Sequence, residues 1–214
     1  RERGPMIDRD AFGRMLDESA RLLLENAEVL SDIDSKFGDG DHGITITKIA
    51  KLVQEQVAGR DSDQSIKDFL DDLGMAAMAV RGGSAGPLYG TMIGGLGVDL
   101  ADDESVIDAD AARRMFAGCL AEMQDITNAQ AGDKTMMDAL IPAVEAAQAC
   151  ASDDPAAVFA AAAAAAEAGA KASEGFASKF GRARSYGDQT IGTPDAGAVS
   201  TSLFLRGLAE GASH

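Results

Sequence analysis

The chain has 214 residues, enough for one substantial buried core but a tight fit for two. With 35 acidic against 19 basic residues and a formal charge of −16, it repels nucleic acid and anionic membrane surfaces, so neither is an expected partner. A phosphorylated ligand would need a metal ion between itself and such a protein. No apolar run is long enough for a membrane span and no secretory pattern is visible, so a cytoplasmic location is expected. Arg1 to Pro5 reads as an expression remnant ahead of Met6, which leaves 6–214 as a single expected domain. Cys119 and Cys150 lie in Ala/Leu-rich stretches and read as packing residues of a reducing compartment.

Abundant alanine, aromatics at only 5% and the lack of alternating strand patterns predict an all-α fold of eight helices. The first is expected over about Asp8 to Leu30, with Phe12, Met15, Leu16, Leu22, Leu23 and Leu30 on its buried stripe. The second follows an acidic loop and carries Ile46, Ile49, Val53 and Val57. A third spans about Ser62 to Val80, and a fourth begins near Pro87, a residue suited to a first helical turn. The fifth covers about Ala109 to Ala129. The sixth begins near Asp133 as N-cap and contains Pro142, where a kink is expected. The seventh, about Pro155 to Phe180, includes the alanine run 160–166, whose small side chains permit close packing. The eighth runs from about Ala196 to Ala209.

Helices joined by mostly short loops most simply alternate up and down. The second, fourth, sixth and eighth then start at one end of an antiparallel bundle, entered through "GDGDHG", "RGGSAGP", "AGDKT" and "GDQTIGTPDAG". The opposite-end loops, "AGRDSDQ", "ADDESVIDAD" and "ASDDP", are plain polar connectors. One rim therefore collects the glycine-rich loops and four helix N-termini, whose unpaired N–H groups and positive dipole ends favour an anion.

Gly38, Gly40 and Gly43 match G-x-G-x-x-G formally, but no apolar strand precedes them and Asp39, Asp41 and His42 fill the spaces, so a dinucleotide loop is excluded. An EF-hand needs a carboxylate at loop position twelve, where counting from Asp32 or Asp34 gives Gly43 or Thr45. What remains is three carboxylates, Asp34, Asp39 and Asp41, a hard-cation ligand set. Arg182 and Arg184 precede the last rim loop, where a guanidinium can grip phosphate in bidentate fashion. Taken singly, Ser84 and Asp195 read as helix caps and Lys134 as an ordinary solvated charge. Jointly, metal, helix N-termini and arginine describe a nucleotide polyphosphate site suited to phosphoryl transfer, yet no P-loop or protein-kinase motif is present.

"FGDGDHGITI", "GGSAGPLYGTMIGG", "AGDKTMMDALIPAVE" and "IGTPDAGAVST" together resemble, in order and across nearly the whole chain, the nucleotide-binding L subunit of dihydroxyacetone kinase. The resemblance implies an eight-helix antiparallel barrel with ADP or ATP and two Mg²⁺ ions at one rim. Asp34, Asp39 and Asp41 would be the Mg²⁺ ligands. His42, Gly43, Ile44, Thr45, Ser84, Ala85, Gly132, Arg182 and the turn Asp195, Ala196, Gly197 would hold phosphates and ribose, with Ile141 in the adenine pocket. The chain departs from the family at Thr45, often Asn, at Ala85, often a second Ser, and at Ser185-Tyr186-Gly187, often Tyr-Leu-Gly. The resemblance further implies a separate K subunit that holds the ketose, a donor that is either exchangeable ATP or ADP recharged by a phosphotransferase-system M subunit, and no turnover by the chain alone. Erythrulose and fatty acids are other acceptors of related modules, and docking onto a transcription factor is the regulatory alternative.

Overall fold

Helix starts divide into two kinds. Asp8, Ser65, Asp108 and Asp154 each accept an N–H from the first turn of the helix they precede, at 2.8, 3.0, 2.8 and 2.9 Å, which satisfies donors that a helix cannot satisfy itself. These caps open α1 (Arg9–Glu25), α4 (Ile66–Met78), α6 (Ala109–Ile126) and α8 (Pro155–Ala172). By contrast the residues immediately before α3 (His42–Gly59), α5 (Ala85–Gly95) and α7 (Met137–Ala149), namely Asp41, Ser84 and Met136, make no capping bond to the helix that follows. A short α2 (Ala27–Asp34) and the last helix α9 (Ala196–Ala212), capped by Asp195, complete the set. The computed structural model describes residues 4–214.

Around the molecule α1, α3, α4, α5, α6, α7, α8 and α9 pack each on the next, and α9 returns to α1. The result is the expected antiparallel eight-membered helical barrel, with α2 as an extra segment against α3 and α9. Phe12, Met15, Leu16, Ile46, Ile49, Leu70, Phe116, Phe159 and Phe204 fill the interior, Phe116 and Phe159 meeting with ring centroids 5.4 Å apart. Alanines 162, 163, 166 and 170 form the buried face of α8 and let it lie close to both α7 and α9.

The closure between α9 and α1 is tighter still. A Cβ on Gly207 would fall 2.3 Å from Ser19 Cα and one on Gly211 2.6 Å from Met15 Cα. The two contacts run in opposite directions along the two helices, one turn apart, as antiparallel neighbours must.

Several boundaries differ from the sequence expectation. The expected first helix is broken at Asn26, whose side-chain amide and backbone N–H both donate to Leu22 O, so α1 ends there and α2 carries the chain on to Asp34. Asp133 is not the cap of α7. It accepts the Gln130 N–H and pairs with Lys179, and the helix starts four residues later. The helix expected to reach Phe180 stops at Ala172 and gives way to 3-10 turns at Ser173–Gly175 and Arg182–Thr190. One antiparallel pair of two-residue strands, Ile7–Asp8 (β1) with Val106–Ile107 (β2), joins the starts of α1 and α6, too short for any alternation to mark it.

Gly207→Ala is expected to lower stability by about 1–3 kcal/mol, because the added methyl must push α9 off α1. For a domain of this size that corresponds to a drop in Tm of roughly 2–4 °C per kcal/mol, measured by thermal denaturation followed by circular dichroism.

Candidate functional site

Asp34 closes α2, and Asp39 and Asp41 lie on the loop that leads into α3. The three carboxylates each offer an oxygen, and these oxygens lie within 4.8 Å of one another. The crowding shows in their proton affinities. A hydrogen bond shared between Asp39 and Asp41 holds Asp39 below the usual carboxylate range and pushes Asp41 above it, with the charge of Asp39 and then Asp34 adding to the rise and Arg182 favouring the ionised forms. Like charges this close stay ionised together only with a cation among them, so the donor set fits a hard divalent ion such as Mg²⁺. Arg182 reaches Asp39 at 3.0 Å from a mostly exposed position, and Tyr186 on the same 3-10 segment packs on Phe37 with centroids 5.3 Å apart.

The uncapped helices start beside this loop. Gly82, in the loop before α5, sits against Thr45 of α3, and Gly197 of α9 sits against Met136 at the head of α7. Tyr89 of α5 reaches the Gly197 carbonyl. In the first turn of α3, His42 N–H donates to Asp34 Oδ2 at 3.2 Å, Gly43 N–H to Ser31 Oγ at 3.0 Å and Thr45 N–H to the Asp41 carbonyl. Ile44 N–H has no such partner among the described residues, and the same holds for Ala85 and Gly86 of α5 and Ala196 and Gly197 of α9. The Ser84 hydroxyl, expected as a cap, makes no capping bond and stays exposed. A set of outward donors with the positive ends of several helices therefore faces the acidic loop.

Gly43 has a second duty: a Cβ there would stand 1.8 Å from the Ala27 carbonyl, so only glycine lets α3 touch α2. Gly132 has φ +97 and gives its N–H to Asp138 Oδ1 at 2.6 Å, while Asp138 Oδ2 takes the Thr135 N–H at 2.8 Å. Ile141 lies one turn into α7 and packs on the core, half-buried. Arg184 is exposed on the segment that carries Arg182.

Lys134 departs most from the sequence reading. It is 5% exposed, not solvated, and with φ +63 it is the one non-glycine residue at positive φ among the described residues. Its ammonium donates to the carbonyls of Ser173, at 2.5 Å, and Thr193, while Ser173 Oγ accepts the Asp195 N–H at 2.9 Å. Burial lowers the Lys134 pKa, opposed by Asp195, Asp138 and Glu174. Burial likewise pushes Asp195 up to about 7, against the Ala198 N–H that it caps and the Lys134 charge. Ser31, Tyr89, Asp138, Ser173 and Ser200 were not singled out by sequence. For Ser200 a signal existed, since Ser200, Thr201 and Ser202 are three consecutive hydroxyls between the apolar runs 196–199 and 203–205 of α9.

A partly open hollow lies at the other end, between Arg9, Phe12, Arg60 and Phe69, and at about 20 Å³ it has room for roughly one water. No helix among the described residues is long and apolar enough to cross a membrane.

Residues 36–210 match the family model of the DAK2 domain. The chain is 32% identical over 207 residues to the ADP-binding subunit DhaL of PEP-dependent dihydroxyacetone kinase 2 from Listeria innocua, covering 96% of this chain and 95% of that one. It is 34% identical over 204 residues to the D-erythrulose kinase of Mycolicibacterium smegmatis, but spans only 34% of that longer protein. Among solved structures, the dihydroxyacetone kinase of C. freundii in complex with AMP-PNP and Mg²⁺ superposes with a TM-score of 0.70 at 24% identity, over 93% of this chain and 33% of that one, a likeness of fold.

Lys134→Met is expected to leave the Thr193 carbonyl without a donor, the Ser173 carbonyl keeping the Phe176 N–H, and to lower the urea midpoint by an amount equivalent to about 1–3 kcal/mol for the orphaned group, with helix content retained. Asp195 binds its proton more tightly folded than unfolded, so its contribution to stability is full near pH 4 and is lost as pH climbs towards 7. Asp195→Asn, which keeps the cap, is expected to remove that slope in urea melts compared at pH 4.5 and 7.5.

Proposed function

The chain belongs to the DAK2-domain family, and from that membership we propose that it is the nucleotide-carrying subunit of a kinase for dihydroxyacetone or a related small ketose. Asp34, Asp39 and Asp41 hold Mg²⁺, which when bound neutralises phosphate charge that this acidic protein would otherwise repel. The outward N–H groups of Ile44, Ala85, Gly86, Ala196 and Gly197, with the Ser84 hydroxyl, take the phosphate oxygens. Arg182, within reach of the same loop, adds a mobile positive charge where phosphoryl leaves. Ile141 offers an apolar surface to the base.

The observation that carries this reading is the contrast in capping. The four helices that start at the far end are closed by their own side chains, whereas α3, α5 and α7 start uncapped beside three convergent carboxylates. The ketose is assigned to a separate K-type subunit. Supporting that division, the chain accounts for 95% of a DhaL relative yet 34% of an erythrulose kinase. On this reading the chain alone binds nucleotide without consuming it.

Calorimetric titration with ADP and ATP, with and without Mg²⁺, is the test. Mg²⁺-dependent binding is expected, and ADP retained through purification marks the form that is recharged in place by an M subunit. Failure of both nucleotides to bind at any Mg²⁺ concentration overturns the reading. Asp39→Ala is expected to weaken Mg²⁺–ADP binding by more than roughly 100-fold, since even outer partners of a metal cost 10–100-fold. Arg182→Ala, which removes a charge-assisted contact, is expected to cost roughly ten- to a hundredfold, with far-ultraviolet circular dichroism unchanged.

A further inference from the structure

Beneath the rim lies a polar network that the nucleotide reading does not use. Tyr89 of α5 is 1% exposed, and its hydroxyl bonds Ser200 Oγ and stands 3.1 Å from Thr201 Oγ1 and 3.4 Å from the Gly197 carbonyl, all on α9. Ser200, fully buried, lies 2.8 Å from Nε2 of His42, the first residue of α3, and 3.1 Å from the Gly197 carbonyl. Three side chains from three helices thus meet on one hydroxyl. The backbone N–H of His42 in turn donates to Asp34 Oδ2, one of the three clustered carboxylates.

We propose that Tyr89 is a positioning residue that acts through Ser200 on His42, locking the imidazole and with it the register of the first turns of α3 and α9 around the Mg²⁺–nucleotide site. Ser200 brings one proton and two lone pairs to three partners, Tyr89, His42 and the Gly197 carbonyl. Gly197 offers only a carbonyl, so its bond has to come from a hydroxyl. Tyr89 stays protonated, because burial raises its pKa, so its hydroxyl always brings a proton to the group formed by Ser200, Thr201 and the Gly197 carbonyl. Without the phenol Ser200 loses one of the three partners that fix its hydroxyl, and the imidazole bonded to it is held less firmly. A half-satisfied buried network is worse than none, and the slack appears at His42, the member nearest the surface.

The proposal rests on the nucleotide reading for its consequence but not for its first observable. The chain holds two histidines, 42 and 214, so ¹⁵N-histidine labelling gives two imidazole sets, with terminal His214 as internal reference. Tyr89→Phe, which removes one oxygen and keeps the ring, is expected to move the His42 ¹⁵N resonances, to leave His214 in place and to weaken Mg²⁺–ADP binding about tenfold. Ser200→Ala should do the same from the other side, and Tyr89→Phe added to Ser200→Ala should then change His42 no further, the non-additivity of residues that act in series. A purely structural Tyr89 predicts additive losses of Tm with His42 undisturbed. Unchanged His42 resonances in Tyr89→Phe overturn the proposal, as does a shift with full Mg²⁺–ADP affinity. Should the unaltered protein bind no nucleotide, the functional reading falls while the His42 resonances still decide whether the network acts in series.

Discussion

An up-and-down ring of helices closes only if its last member can lie against its first, and here that contact is backbone on backbone. Gly207 and Gly211 remove the side chains that would hold α9 away from Ser19 and Met15 of α1. Because successive helices run antiparallel around the ring, alternate ones begin at the same end, and the end that receives α3, α5, α7 and α9 receives every glycine-rich loop. The site is thus a product of topology before it is a product of any one residue. Side-chain identity then decides what the two ends become: carboxylate and serine caps close all four helices at one, whereas at the other only α9 has such a cap, from Asp195.

The rim combines two fields that would be unfavourable apart. Helix N-termini draw anions, and three carboxylates beside them repel the same anions. On the proposed reading a divalent cation would reconcile the two, since it would satisfy the aspartates and present positive charge to phosphate. The protein balances the charge beneath the rim with its own groups: Lys134 sits among Asp138, Glu174 and Asp195, and Asp195 in that surrounding keeps a proton near neutrality.

Periodicity and loop composition made the barrel and its active end legible, since amphipathic spacing at Ile46, Ile49, Val53 and Val57 and the four glycine-rich loops are local signals. The acidic loop was equally readable, because carboxylates at 34, 39 and 41 converge once a turn joins them. Less was visible where a residue serves a distant partner. Asn26 looks helical in a window of leucines, yet its amide competes for Leu22 O and breaks the helix. Asp133 has the chemistry of a cap but spends it on Gln130 and Lys179, leaving the cap-like role to Asp138 inside the helix. Lys134 reads as solvent-facing, and only the approach of the Ser173 and Thr193 carbonyls explains its burial. Ser200 and Tyr89 are hidden for the same reason, being polar atoms with partners 111 residues apart in the chain.

The α1–α9 contact also sets an order of assembly. The metal loop lies between α2 and α3, early in the chain and close to α1, so its parts are made together. The Asp195 turn, Ser200 and the carbonyl of Thr193 lie far along the sequence from it, Ser200 standing 158 residues beyond His42. Contacts of such long sequence separation close late, after their loop entropy has been met by other packing. A nascent or C-terminally clipped chain would therefore carry the three aspartates without the helix end that faces them, a cation site with nothing to offer a phosphate.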